Sequence, residues 1–399
     1  MLPAFSSGHR ETARVLAQKV REFVDEIIIP NEPQLSRPGA QALQLQSDLA
    51  LEARQAGLYG LFYPLSHGGK IASLEDYLLV AEQEGRTEFS QAIFASHTAL
   101  DAHMLSRFGN AIIRQQFLQP MANGEALPCY GMTEPGQSGS IPGLITTTAH
   151  LSNGRWHVNG RKWFISNADR ATFMTVLART AGKETALDHA LSMIIVPADT
   201  PGFRVERQLM MMGHACGQGE VSLADVQVPE HYLIGVCGGG LELMNKRLGL
   251  GRLLRAMNWI GLARRCMDLM GGRVHSTRGK LGLLVEKQLV RQHFFNTYQA
   301  IAGARELVRI AARGVDAQCP DEIAINVAKM AASRALCIAS DSAMQLYGAE
   351  GLSDLTPLYG IHRIARTSRI LDGNDESLIS SVGRRLISHY EHHTVYPFD

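Results

Sequence analysis

Residues 153–167 read Asn-Gly-Arg-Trp-His-Val-Asn-Gly-Arg-Lys-Trp-Phe-Ile-Ser-Asn. The pairs Asn153-Gly154 and Asn159-Gly160 predict turns, because Asn and Gly tolerate the positive φ that tight hairpins need. Trp156-His-Val between them reads as a short strand. Ile145-Thr-Thr-Thr-Ala, Phe173-Met-Thr-Val-Leu, Leu191-Ser-Met-Ile-Ile-Val and Glu220-Val-Ser-Leu are similar short, β-branched runs. Together they predict a compact antiparallel β-domain from about Leu127 to Pro229.

On both sides of this block the period changes to that of helices. From His9 to about Gly124, Val15, Leu16, Val20, Phe23, Val24 and Ile27 recur at three- and four-residue steps, and Pro30 is expected to stop that run. Further helical runs cover about 40–56, 73–84, 91–108 and 110–122. After Gly238-Gly239-Gly240, read as a flexible connection, helices are expected at about 241–275, 286–317, 321–347 and 357–371, with a last one from Glu376 to Ser388. Runs this long suggest a bundle that also packs against another subunit. An α–β–α order follows, with boundaries at 1–126, 127–236 and 237–399.

The 399 residues carry 39 basic and 38 acidic side chains, a net charge of +1, so overall charge gives no case for nucleic acid or an anionic membrane surface. The six cysteines are scattered without metal-binding spacing and are read as reduced, mostly buried thiols; no metal is expected. No targeting segment is recognised, and no apolar run approaches the roughly 18–20 residues of a membrane span. A soluble, intracellular, cytoplasmic protein is the expectation.

Tyr130-Gly-Met-Thr-Glu-Pro-Gly opens the β-domain, and Trp163-Phe-Ile-Ser-Asn ends the stretch quoted above. Each could be turn plus core. Yet the Thr133 and Ser166 hydroxyls, nearby backbone amides and the flat face of Trp163 suit an isoalloxazine ring, which needs stacking and edge hydrogen bonds. Residues 370–377, Ile-Leu-Asp-Gly-Asn-Asp-Glu-Ser, place Asp372 on a glycine turn, where it is a candidate catalytic base. The plain alternative is a turn followed by a helix capped by Asn374 or Asp375.

These motifs in this order resemble the acyl-CoA dehydrogenase family over almost the whole chain. Thr133-Glu-Pro135, Asn159-Gly-Arg-Lys-Trp-x-x-Ser-Asn167, Val226-x-Val-Pro229, Gly249-Leu-Gly-Arg252 (similar to a Gly-Arg helix start) and Gln345-Leu-Tyr-Gly-Ala-Glu-Gly351 carry the likeness. The branch with an Asp-Gly-x-Asp-Glu turn looks nearest. The resemblance implies an α+β fold: an all-α N-terminal domain, a central antiparallel β-barrel-like domain and a C-terminal four-helix bundle, enclosing FAD in a homodimer or homotetramer. It implies that Met132, Thr133, Trp163 and Ser166 line the flavin ring. Gln345 and Gly348 would reach the FAD of a neighbouring subunit, and Asn374 and Glu376 would lie near its diphosphate or adenosine portion. Ser138 and Arg278 would meet the cofactor, and Ser140, Arg252 and Gly373 the substrate. The loop Gln137-Ser-Gly-Ser140 lacks the family's aspartate, and Arg278-Gly-Lys-Leu-Gly282 is one residue out of the family's register.

The implied reaction is α,β-desaturation of an acyl-CoA thioester, with Asp372 taking the α-proton and the β-hydrogen leaving as hydride to flavin N5. An electron-transfer flavoprotein is a possible electron acceptor. Asp372 stands where the family most often has glutamate, about 1.5 Å longer. Gly251 closes the family's alternative position for the base. Two other readings remain: a nitroalkane-oxidase-like flavoenzyme, which also uses an aspartate base, and a catalytically silent member acting as an interaction protein. His97 and His103 are expected in the core, His362, Arg363, Arg366 and Arg369 on a solvated or intersubunit stripe, and Met210-Met-Met212 packed inside the β-domain.

Overall fold

The computed structural model describes residues 7–396. Its main helices are α1 (Ser7–Phe23), α2 (Ala40–Gln55), α3 (Leu74–Glu84), α4 (Ala99–Phe108), α5 (Gly240–His275), α6 (Gln288–Asp316), α7 (Glu322–Tyr347), α8 (Leu358–Ser368) and α9 (Asp375–His389). Eight strands lie between α4 and α5: β1 (Pro128–Gly131), β2 (Thr148–Ser152), β3 (Arg155–Ser166), β4 (Phe173–Arg179), β5 (Leu191–Pro197), β6 (Phe203–Met211), β7 (His214–Pro229) and β8 (Leu233–Ile234). Two compact units result. One gathers the chain up to Leu61, Ile71–Phe94 and everything from Gly249 on, and the other holds Phe62–Lys70 and Ala95–Leu248.

In the helical unit, Pro30 does not end the first run. A π-turn over Val24–Ile28, in which the Ile29 N–H bonds to the Val24 carbonyl, precedes Pro30, and the chain continues helically through Ile29–Leu35; the widened turn accommodates the N–H that proline cannot supply to the ladder. The start of α3 is capped from elsewhere: Asp316, at the end of α6, accepts from the Leu74 N (2.8 Å), the Glu75 N (2.9 Å) and the Ser73 hydroxyl (2.8 Å). A carboxylate there meets the positive end of the helix dipole. The stretch Glu322–Leu352, which contains α7, is long and apolar enough by length and composition to cross a membrane, a test that the core helix of a bundle also passes. Its most apolar 18-residue window is 61% buried within the protein, and the buried polar side chains of Asn326, Lys329, Ser333 and Ser340 interrupt its apolar surface, as suits the central helix of a bundle.

Helices α3 and α5 approach backbone to backbone. A methyl group on Gly261 would lie 2.1 Å from the Glu82 carbonyl oxygen, and one on Gly85 would lie 2.2 Å from the Asn258 oxygen. Gly261→Ala is therefore expected to lower stability by about 1–3 kcal/mol through overpacking. Gly271→Ala, on the same helix with nothing within 4 Å of the added carbon, should gain up to about 1 kcal/mol from helix propensity. Thermal melts of the two variants check the contrast, and equal shifts would refute the close crossing.

In the other unit the strands form one sheet, ordered β6-β7-β3-β2-β4-β5-β8 with β1 beside β4. Most pairs are antiparallel as expected, but β1–β4 and β2–β4 run parallel. Strands β4 and β5 are buried almost end to end, and Trp156, Val158, Ile165, Met174, Val176, Ile194, Val221 and Val226 fill the core. Asn153 (φ 50°) and Gly154 (φ 72°) form the two-residue hairpin turn that the sequence predicts. Asn159-Gly160 does not turn. It lies inside β3 at a bulge opposite β7, where the Asn159 side-chain oxygen accepts from the Asp225 N (2.8 Å). Gly160 is required because a Cβ there would lie 2.3 Å from the Thr147 hydroxyl oxygen.

Three further expectations fail. Met210 and Met212 do not pack: they are 62% and 59% exposed at the β6–β7 hairpin tip, where Met212 (φ 50°) and Gly213 (φ 80°) make the turn. Cys216, Cys237 and Cys319 are exposed and only Cys129 and Cys266 fully buried, all six being free thiols. The triglycine is no loose link: Gly238 N donates to the Ser192 hydroxyl (2.8 Å), Gly239 bridges Leu191, and a Cβ on Gly240 would lie 2.8 Å from Leu191 backbone.

Candidate active site

Asp372 sits in the turn between α8 and α9 with φ 55°, followed by Gly373 at φ 106°. The left-handed region is one that aspartate and asparagine enter more readily than longer side chains, because the short polar group can bond locally. The turn is tethered on several sides. The Arg252 Nε donates to the Asp372 carbonyl oxygen (2.8 Å), and the Lys329 Nζ donates to the Gly373 carbonyl oxygen (2.8 Å). Lys329 is fully buried, and its second contact is the Asp375 Oδ1 (3.4 Å). Burial lowers the Lys329 pKa, while the Asp375 carboxylate works in the other direction. Arg369 Nε reaches the other Asp375 oxygen (3.0 Å). Asn374 caps α9 by accepting from the Ser377 N (2.8 Å), the plain role foreseen for it.

Among the described residues, the Asp372 carboxylate itself pairs with one cation. Arg255 Nε lies 2.6 Å from its Oδ2, and that oxygen is buried without an N–H aimed along a hydrogen bond. The contact is an ion pair by distance. Arg252, expected at a helix start and at the substrate, lies about three turns inside α5 and is spent on the turn: its Nη1 also donates to the Asn326 Oδ1 (2.9 Å).

Elsewhere in the same unit, Gln345 ends α7 near Gly348, whose φ of 64° lets the chain leave the helix. Arg278 pairs with Glu350 of this turn, and Arg273 Nη1 holds the other Glu350 oxygen (2.9 Å). Arg278 and the 345–351 turn, assigned to the cofactor separately, are thus neighbours. Glu376 is 78% exposed at its side chain and lies 3.8 Å from Arg369. The basic stripe is largely paired within the chain: Arg363 with Glu88 (3.5 Å), Arg369 with Asp375, and His362 with the Ser340 hydroxyl (3.2 Å).

In the β-sheet unit, Thr133 and Trp163 are joined twice. The Thr133 hydroxyl donates to the Trp163 carbonyl (2.5 Å), and the Trp163 N donates to the Thr133 carbonyl (3.0 Å). Met132, Thr133, Gln137, Ser138 and Gly139 line one cleft, and the Ser138 hydroxyl lies 3.0 Å from that of Ser140. Beneath them lies the buried pair Glu134–Lys162 (2.8 Å). A second bulge in β3, between Lys162 and Ile165, puts Phe164 at φ 52° and leaves it 47% exposed, with Trp163 half-buried edge-on to it (4.9 Å). Ser166 is exposed and accepts from Gln218 (2.8 Å). The half-buried Trp163 ring, bonded through its backbone to Thr133 and three residues from the exposed Ser166 hydroxyl, supplies the kind of aromatic and hydroxyl groups that a flavin ring needs. His103 is a satisfied core histidine: its Nε2 lies 2.6 Å from the Phe62 carbonyl oxygen, and burial lowers its pKa.

The sequence reading missed Arg255, Asn326 and Lys329 around the turn. Arg255 follows Arg252 by three residues and so shares its helix face, and Lys329 is a lone charge in an apolar helix. Both signals are visible, but their partners lie far along the chain.

Three family models match the chain in order: acyl-CoA dehydrogenase N-terminal domain over residues 10–125, middle domain over 129–226 and C-terminal domain over 238–387. The mouse protein acyl-CoA dehydrogenase family member 11 is 32% identical over 92% of this chain, and the chain spans about half (49%) of that relative's length. A Mycobacterium tuberculosis protein assigned as the acyl-CoA dehydrogenase FadE2 is 33% identical over 86% of this chain and 85% of its own. The solved structure of a Mycobacterium abscessus protein assigned as an acyl-CoA dehydrogenase superposes with a TM-score of 0.86 at 30% identity, covering 95% of this chain and 98% of that one.

Proposed function

Because this chain belongs to the acyl-CoA dehydrogenase family, whose members are FAD-binding flavoproteins, we propose that it oxidises an acyl-CoA thioester to the α,β-unsaturated product with Asp372 as the base. The observation that carries this reading is the Asp372 carboxylate, held on a left-handed turn whose two carbonyls are tethered by Arg252 and Lys329. A base must be ionised and fixed before the substrate arrives, and this turn is built to fix it.

In the β-sheet unit, Met132, Thr133, Ser138, Trp163 and Ser166 are the residues that would hold FAD. In the helical unit, Arg278, Asn374 and Glu376 are candidate cofactor contacts, and Gln345 and Gly348 would serve the FAD of a second copy. FAD supplies the acceptor for the β-hydrogen and its electron pair. Asp372 takes the α-proton, so that two hydrogens leave and one carbon–carbon double bond forms. Gly373, on the same turn as Asp372, would border the substrate, and Ser140 is a candidate substrate contact within the β-sheet unit. Arg252 acts through the turn it holds. An electron-transfer flavoprotein fits as the partner that takes the electrons onward, and the family's usual assembly is a tetramer.

The test is a panel of acyl-CoAs, varied in chain length, branching and ring content, added anaerobically to the purified protein while flavin absorbance is followed. Bleaching by at least one acyl-CoA and by no small nitroalkane is expected. Bleaching by nitroalkanes alone would make the protein nitroalkane-oxidase-like, and a purified protein without flavin bands would make it a silent member.

A further inference from the structure

Among the described residues, Arg255 is the charged side chain in direct contact with the Asp372 carboxylate, while Arg252 and Lys329 feel its charge from farther off. Arg252 is committed to the Asp372 carbonyl and to Asn326, Lys329 to the Gly373 carbonyl and Asp375, and Arg369 to Asp375 and Glu376. Glu322, at the start of the same helix as Lys329, pairs with Arg385. Asp372 Oδ2 is inaccessible and lies against the Arg255 Nε at 2.6 Å, while the side chain as a whole keeps 21% of its surface exposed. That exposure belongs to the remaining atoms, which leaves Oδ1 as the oxygen that can meet a substrate.

We propose that Arg255 is a positioning residue for the base: its guanidinium holds Oδ2 and thereby aims Oδ1 of a carboxylate that is one methylene shorter than the family's usual glutamate. The proposal rests on Asp372 being the base. A glutamate can search for its proton through an extra torsion, whereas an aspartate on a tethered backbone has only χ1 and χ2 with which to point. A fixed cation on one oxygen removes much of that remaining freedom. The hold is that of a positive charge at 2.6 Å and not of a directed hydrogen bond, so another cation of similar reach should replace part of it. Arg255 is 38% exposed at its side chain, so replacing it leaves no cavity in the bundle core.

The test uses the flavin-loaded protein and the acyl-CoA that bleaches it best. Arg255→Ala is expected to slow flavin reduction about a hundredfold, the scale of a 1 Å misplacement, while the acyl-CoA dissociation constant changes by less than about threefold. Arg255→Lys should recover part of the loss, and added guanidinium ion should recover part of it in the alanine variant. In an Asp372→Asn background, Arg255→Ala should cost nothing further, because the two residues act as one unit. Flavin content and the melting temperature show that each variant is folded, with Arg255→Gln as the replacement should the alanine variant not be. Reduction at the parent rate, or a weaker dissociation constant with an unchanged rate, overturns the proposal. If Asp372→Asn alone reduces normally, it is the base assignment that fails. If Asp372→Asn is inactive and Arg255→Ala is not, the base stands and the positioning role falls.

Discussion

Asp372→Asn is expected to keep its FAD and lose reduction by acyl-CoA, with a fall in rate on the order of 10²–10⁴-fold, the usual worth of a general base. Asparagine has the same shape as aspartate and enters the left-handed region as easily, so the φ of 55° survives. The tethers also survive, since Arg252 and Lys329 bind backbone carbonyls and not the side chain. What disappears is the capacity to accept a proton and the ion pair with Arg255. Stopped-flow mixing with acyl-CoA under anaerobic conditions measures this, and unchanged reduction kinetics would rule Asp372 out as the base.

The second large effect is one of stability. Glu134 and Lys162 are 3% and 0% exposed, and they form a completed network. The Glu134 carboxylate accepts from Lys162 Nζ (2.8 Å), Thr146 N (2.7 Å), the Thr146 hydroxyl (2.6 Å) and Thr147 N (2.9 Å). The ammonium also donates to the Met132 (3.0 Å) and Leu177 (2.8 Å) carbonyls. Lys162→Met strands a buried carboxylate and is expected to cost about 3–5 kcal/mol. Because Met132 and Thr133 sit on this network, flavin content should fall with it.

Burial opposes the Glu134 charge, yet the Lys162 ammonium and the four hydrogen bonds prevail and hold its pKa down at about 2. Burial pulls Lys162 down as well, to about 8, against the pull of Glu134. The two shifts disagree on whether the ion pair gains. With three oxygen acceptors around it, the charged ammonium is the state this site accommodates, so the Glu134 direction governs. A carboxyl whose folded pKa lies below its ordinary 4.5 adds stability above that value and loses it as pH falls toward 2. Melting temperatures taken from pH 5 to pH 2 should drop in the parent and drop less steeply in Glu134→Gln. Parallel curves would show that the pair is not the source.

How far the sequence carried this picture depended on the range of the interaction that decides each feature. Asn153-Gly154 is a turn for reasons contained in the pair itself, and it was legible. Asn159-Gly160 has the same letters, but Thr147 pressing on Gly160 and Asp225 bonding to Asn159 make it a bulge, and neither contact is local. Helix identity along 241–275 was plain from its period. That Arg252 lies inside this helix and binds the turn 120 residues later was not, since an arginine on a helix face names no partner. The Asp372 turn could be seen as a turn, and its family context suggested a role. Its left-handed φ and its Arg255 neighbour are products of tertiary packing.

The exposed tip of the β6–β7 hairpin has a consequence in redox chemistry. Thioethers oxidise to sulfoxides where an oxidant can reach them, and the change turns a flexible apolar side chain into a polar one. Met174, Met193, Met257 and Met270 are at most 1% exposed and would be shielded, whereas Met210 and Met212 stand 62% and 59% in solvent. Mild peroxide should therefore add oxygen first at these two positions, where a polar sulfur disturbs no core, and peptide mass mapping of the treated protein would read the order directly.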